Sequence, residues 1–136
     1  MDNSFFEGEN LDLNVSVESV MRSPPVTALF SDSVSYVTEK MVSNNIGAII
    51  IISGGKPSGI ITERDIVEKI VRTRRDPDKT RATEIMSSPL LTIDAEKTVA
   101  DALRIMRDKK VRRLAVTRNG RLAGIVTERR LLDSLI

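Results

Sequence analysis

Two heptapeptides decide the fold: Gly59-Ile60-Ile61-Thr62-Glu63-Arg64-Asp65 and Gly124-Ile125-Val126-Thr127-Glu128-Arg129-Arg130, set 65 residues apart. In each, a glycine and two apolar residues run into a threonine and then charged residues, the pattern of a buried strand giving way to a helix. Only the last position differs in chemical character, an acidic Asp65 against a basic Arg130.

The same offset holds outward in both directions. Met21 matches Met86, Pro24 matches Pro89, Thr27 matches Thr92, Val34 matches Val99 and Met41 matches Met106, without a gap. One register kept through apolar, turn and polar positions marks an internal duplication. Two copies close on each other as a pseudo-twofold pair, where a solenoid would need more. The expected organisation is one compact module with a first motif over 15–75 and a second over 80–136. A polar segment over 1–14 precedes them, its apolar residues being Phe5, Phe6, Leu11 and Leu13.

Composition narrows the chemistry. The 136 residues include no cysteine and no histidine, which removes disulfides, thiol nucleophiles, imidazole acid-base catalysis and Cys/His zinc sites. No nucleophile stands beside a base, and the carboxylates are not spaced as a metal cage, so neither an enzyme nor a metal site is expected. The formal net charge of +2 makes no demand for nucleic acid. Residues 1–19 carry five acidic and no basic side chains, and no apolar run is long enough to span a bilayer. Neither a signal segment nor a membrane anchor is expected, and the location read from this is cytoplasmic. Basic residues gather at 69–81, 104–113 and 118–130. A solvated surface accounts for the first cluster, whereas the other two fall at turns and strand starts that can face an anion.

Each copy opens on an apolar-Met pair and a proline turn, Met21-Arg22-Ser23-Pro24-Pro25 and Met86-Ser87-Ser88-Pro89, and the prolines should stop a short preceding helix. A brief extended piece follows. Next comes a helix, capped by Asp32 or Ser33 in the first copy and by Asp94 in the second. Its apolar face carries Val34, Val37, Met41 and Val42, or Val99, Ala102, Leu103 and Met106. The apolar run Ile46 to Ile52 and its counterpart Val111 to Thr117 read as central strands. Gly54-Gly55 and Asn119-Gly120 read as tight hairpin turns leading to the second strand of each pair. Each copy is thus strand, helix, strand, strand, helix.

At the junction itself, two readings stand for Thr62 and Thr127. Either each hydroxyl simply caps a helix, or the N–H groups and the positive helix end also draw an anion such as a phosphate. Asp65, one turn on, either favours the helix N-terminus or accepts the hydroxyls of a diol such as a ribose.

The doubled pattern, the apolar-Met-proline opening and the Gly-apolar-apolar-Thr-x-x-Asp ending together resemble the CBS domain, named after cystathionine beta-synthase, in its paired form, the Bateman module. The resemblance covers about residues 15–136. It implies an α/β (α+β) fold of two pseudo-twofold motifs, each a small mixed sheet with two helices, packed through their sheets as a stand-alone tandem CBS protein. It also implies a regulatory module that binds AMP, ADP or ATP, or S-adenosylmethionine or NAD, and signals by conformational or dimer change to a separate partner. No cofactor is required, and a homodimer is expected.

Carried over by position, the resemblance places Thr62 at phosphate or ribose and Asp65 at the ribose hydroxyls. Pro25, Val26, Thr27 and Ala28, with Ile46, Gly47, Ala48 and Ile49, would line adenine, and Arg112 and Arg113 would face phosphates. In the second cleft Leu90, Leu91, Thr92, Ile93, Val111, Leu114, Thr127 and Arg130 take the equivalent places. Arg130 departs from the pattern, since a guanidinium has five donors and no acceptor. It would bind phosphate, bar the cleft or pair with Glu128 or Asp133. Two alternatives to a sensor are a nucleic-acid-binding protein using Arg72, Arg74, Arg75, Arg81 and the 104–113 surface, and a structural pair without a ligand.

Overall fold

The computed structural model describes residues 12–136, so the expectations for Phe5, Phe6 and Leu11 lie outside the described residues. The chain forms two compact units. The first is Val26–Leu90, and the second joins residues 12–25 with Leu91–Ile136. These units divide the chain differently from the sequence repeat, because the opening of each copy is packed with the sheet of the other.

In the first unit a three-stranded sheet runs β1 (Thr27–Leu29), β2 (Ala48–Ser53), β3 (Lys56–Thr62) in that spatial order, β1 parallel and β3 antiparallel to the central β2. The second unit repeats it with β4 (Thr92–Asp94), β5 (Arg113–Arg118) and β6 (Arg121–Thr127). A parallel neighbour needs a crossover, here the helices α1 (Val34–Ser43) and α4 (Val99–Lys109). The antiparallel neighbours need only tight turns. Gly54 and Gly55 have φ of 58° and 77°, and Asn119 and Gly120 have 54° and 76°, so both hairpins turn through two left-handed residues as a type I′ connection requires.

Between the long helices and their sheets lie two cores. The first gathers Val34, Val37, Met41, Ile49, Ile51, Ile61 and Ile70 with Ala82 and Ile85. The second gathers Val99, Ala102, Met106, Leu114, Val116, Val126 and Leu131 with Val17 and Val20. Met41 and Met106 fill these cores as their spacing implies, but Val42 does not, being 76% exposed. It stands about 100° round the helix from Met41, off the stripe set by Val34 and Val37.

Local chemistry also corrects the second cap. Ser33 does cap α1, accepting from the Tyr36 N–H, while Asp32 takes the Leu29 N–H. On α4, however, the cap is Thr98, whose hydroxyl accepts from Asp101 N–H while the Asp101 carboxylate accepts from Thr98 N–H. Asp94 ends β4 and bonds the N–H of Glu96. The central strands begin two residues later than the apolar runs suggest, since Ile46 and Val111 donate to the carbonyls of Met41 and Met106. Asn45 and Lys110 are left-handed between them, closing each helix in a Schellman turn.

The crossing segments finish each unit. A helical turn at Val17–Ser19 belongs to the second unit, and α3 (Ala82–Ile85), preceded in sequence by α2 (Glu63–Ile66, continued as a π turn at Val67–Val71), belongs to the first. Helix α5 (Glu128–Asp133) closes the second unit. Beyond α3, Ser87 exchanges both backbone hydrogen bonds with Ile60 of β3, and Arg22 does the same with Ile125 of β6. Glycine is required beside each pairing. A Cβ at Gly124 would lie 2.6 Å from the Arg22 carbonyl oxygen, and one at Gly59 would lie 2.7 Å from Met86 Sδ and 2.9 Å from the Ser87 carbonyl oxygen.

Gly124→Ala should therefore destabilise the fold by about 1–3 kcal/mol. Gly59→Ala should cost less, because the nearest obstacle there is a flexible thioether; urea denaturation measures both. The reciprocal caps predict an acid effect. The Thr98 backbone N–H above all, then the Thr98 hydroxyl, holds Asp101 below the ordinary aspartate pKa. The Arg81 N–H and then Arg75 hold Glu84 below the ordinary glutamate value. Both folded values are depressed, so the stability they confer is complete at neutral pH and lost as pH falls through those values. Asp101→Asn should lower the melting temperature at neutral pH, and its gap to wild type should narrow as the pH is taken below the ordinary aspartate pKa.

Candidate functional site

Strand β3 reaches α2 through Thr62, which stays extended (φ −113°, ψ 165°) and caps the helix. The Thr62 hydroxyl accepts from the Asp65 N–H at 3.2 Å, and Asp65 Oδ2 accepts the Thr62 N–H at 2.9 Å and its hydroxyl at 3.1 Å. Asp65 Oδ1 faces the Lys69 ammonium at 3.0 Å, and the carboxylate is only 11% exposed. Lys69 in turn donates to the Ile85 carbonyl at 2.8 Å. The capping reading of Thr62 thus holds, and Asp65 has structural work of its own. Its Oδ1 keeps a second lone pair for a further donor.

The second junction is built otherwise. Thr127 accepts from the Arg130 N–H at 3.1 Å, with no bond returned because arginine has no acceptor. The Arg130 side chain donates from Nε to the Val20 carbonyl. Val20 occupies the repeat position of Ile85, and Ser134, whose hydroxyl bonds the Leu131 carbonyl, occupies that of Lys69. Sequence reasoning missed Lys69, Ser134 and this carbonyl. The available signal was the i, i+4 spacing of Asp65 and Lys69, set against the absence of a cation at 134.

The remaining candidates separate. Ala48 pairs with Thr62 across the sheet. Thr27 and Ala28 lie on β1, where the Thr27 carbonyl accepts from Lys40 Nζ, and Val26 packs against the first core. Ile49 is buried in that core. Ile46 and Gly47 line a cavity of about 440 Å³ whose other walls include Met41, Val42, Glu63, Ile66 and Val67. Pro25, Arg112 and Arg113 belong to the second unit.

Within the second unit, Arg112, Arg113 and Thr127 line a cavity of about 380 Å³ with Glu128, Arg129, Leu132 and Asp133. Arg112 stands here at the repeat position of Gly47 in the first cavity, while Glu128 and Leu132 match Glu63 and Val67. Thr92 and Ile93 line a third cavity of about 330 Å³ beside Asp94, Asp101 and Arg104. Leu114 is wholly buried, Leu91 and Val111 pack against the second core, and Leu90 belongs to the first unit. Among the described residues no histidine, cysteine or carboxylate group is arranged to hold a metal ion. No described helix is long and apolar enough to cross a membrane.

Two matched motifs, each a mixed sheet with flanking helices, define a paired module. The CBS domain family model matches residues 17–72 and 82–136, and the chain belongs to that family as a tandem pair, a Bateman module. It is 38% identical over 122 residues to an uncharacterised protein of Methanopyrus kandleri, covering 88% of this chain and 62% of the relative. Hypoxic response protein 1 of Mycobacterium tuberculosis is 32% identical over 98 residues, covering 71% of this chain and 68% of the relative. The chain spans 30% to 64% of the length of four relatives from Methanopyrus kandleri, Methanocaldococcus jannaschii and Arabidopsis thaliana. Among solved structures, a CBS domain protein from Pyrobaculum aerophilum complexed with AMP is 25% identical, with a TM-score of 0.78 over 89% of this chain and 98% of that one.

The unequal junctions should respond unequally to truncation. Thr127→Ala removes one cap bond and should cost about 1 kcal/mol. Thr62→Ala also takes a donor from the nearly buried Asp65 carboxylate and should cost about 2 kcal/mol, both read by urea denaturation.

Proposed function

We propose that this chain is a cytoplasmic regulatory module that binds an adenosyl nucleotide and signals, through a change of conformation or dimer state, to a separate protein. The observation that carries the reading is the match, over 98% of its length, to a CBS domain protein complexed with AMP. The first unit supplies the fitting chemistry. Asp65 offers an acceptor for a ribose hydroxyl at a strand-to-helix junction, Thr62 stands beside it, and the partly exposed Val26, Thr27, Ile46, Gly47 and Ala48 would give a largely apolar lining for adenine, with Ala28 and Ile49 buried behind them. AMP, ADP, ATP, S-adenosylmethionine and NAD share the adenosyl group on which these residues would act. Arg130 cannot accept a hydroxyl proton, so the second unit is not expected to hold a ribose in the same way.

Calorimetric titration with AMP, ATP and S-adenosylmethionine should give saturable binding of at least one. Asp65→Asn should weaken it by about tenfold or more, a loss of about 1.4 kcal/mol, with circular dichroism confirming that the variant is folded. Light scattering with and without the bound compound should show a homodimer whose size or affinity changes. Unchanged affinity in Asp65→Asn would move the ligand elsewhere. No binding of any adenosyl compound, together with salt-sensitive RNA binding, would replace the sensor with a nucleic-acid protein.

A further inference from the structure

We propose that Asp65 with Lys69, and Arg130 with Ser134, are two interchangeable forms of one clasp on the crossing segments. The form chosen decides whether a unit offers a carboxylate to a ligand. The second statement rests on the adenosyl reading above; the first does not.

The clasp answers a definite need. Ile85 ends α3 and Val20 closes the turn at Val17–Ser19, so each carbonyl sits at the negative, under-bonded end of a helical turn. Both residues are buried, Ile85 at 1% and Val20 at 9% exposure, where an unpaired carbonyl is penalised. In each unit a cationic side chain from the closing helix or its continuation supplies the donor that the carbonyl needs.

Arg130 does so directly from the first turn of α5. Asp65 stands at the same repeat position and has no donor to give. The cation then comes from Lys69, one helical turn on and facing the same way, with its ammonium between Asp65 Oδ1 and the Ile85 carbonyl. Where Arg130 already serves, position 134 carries no charge and Ser134 bonds its own helix. Asp65 thus requires Lys69, and Arg130 makes a lysine at 134 unnecessary. Lys69 is a positioning residue: it steadies the carboxylate proposed to meet the ribose while anchoring the segment that follows.

Four variants test this by melting temperature and by calorimetry with AMP. Arg130→Asp should melt about 5 °C or more below wild type, and adding Ser134→Lys should restore most of the loss. If the double variant melts no higher than Arg130→Asp, the clasp is overturned. Lys69→Ser should also melt below wild type. The double variant Asp65→Arg with Lys69→Ser, which carries the second unit's form into the first, should melt higher than Lys69→Ser alone yet bind AMP about tenfold or more weakly than wild type. Failure of that rescue also overturns the clasp. Full AMP affinity in the double variant overturns the ligand half and leaves the clasp to the melting comparison. Silence of the wild type toward AMP overturns the ligand half together with the reading on which it rests.

Discussion

The outer edge of each hairpin, which needs a cover, is the constraint on which the rest of this structure depends. β3 and β6 each end a three-stranded sheet, and an unpaired edge invites association with another chain. Here part of that edge is covered from within the unit, by the paired backbone bonds of Ile60 with Ser87 and of Ile125 with Arg22. Much else follows from holding those segments in place. Glycine must stand at 59 and 124 so that Met86 and Met21 can approach. The Ser88 and Ser23 hydroxyls donate to the carbonyls of Ser58 and Ala123. The carbonyls of Thr80 and Val15 accept from the first N–H groups of α1 and α4, which lack partners inside their own helices.

What could be read from the sequence was local. Asn119-Gly120 and Gly54-Gly55 have left-handed requirements that only a tight turn meets, and the spacing of Val34, Val37 and Met41 admits one buried stripe. The errors were also local, and came from choosing between adjacent options. Asp94 and Thr98 both suit a helix start, and the reciprocal bond with Asp101 decides for Thr98. Ile46 and Val111 are apolar enough for a strand but are spent closing the preceding helix. The crossing of 15–25 and 82–90 onto the opposite copies' sheets could not be read, because identical repeats pair equally well within a copy or between copies in any sequence pattern.

The candidate site was legible in its residues but not in their connections. Thr62 and Asp65 were found because a hydroxyl and a carboxylate at a helix start carry recognisable chemistry. Their engagement with each other and with Lys69 depends on Ile85, twenty residues beyond Asp65, and no local pattern reports it. The contrast between Asp65 and Arg130 is therefore first a difference in how a buried carbonyl is satisfied. The ligand role proposed for Asp65 would fall on the same carboxylate that holds Lys69 in place.

The crossing segments separate the unit of duplication from the unit of folding. One repeat taken alone would encode a sheet without its cover and a cover without its sheet. A polypeptide of one repeat would have to borrow that cover from a second molecule to complete the same unit. Joining two repeats makes the loan a connection within one chain. It also lets matched positions such as Asp65 and Arg130 differ, because neither half has to complete a replica of itself.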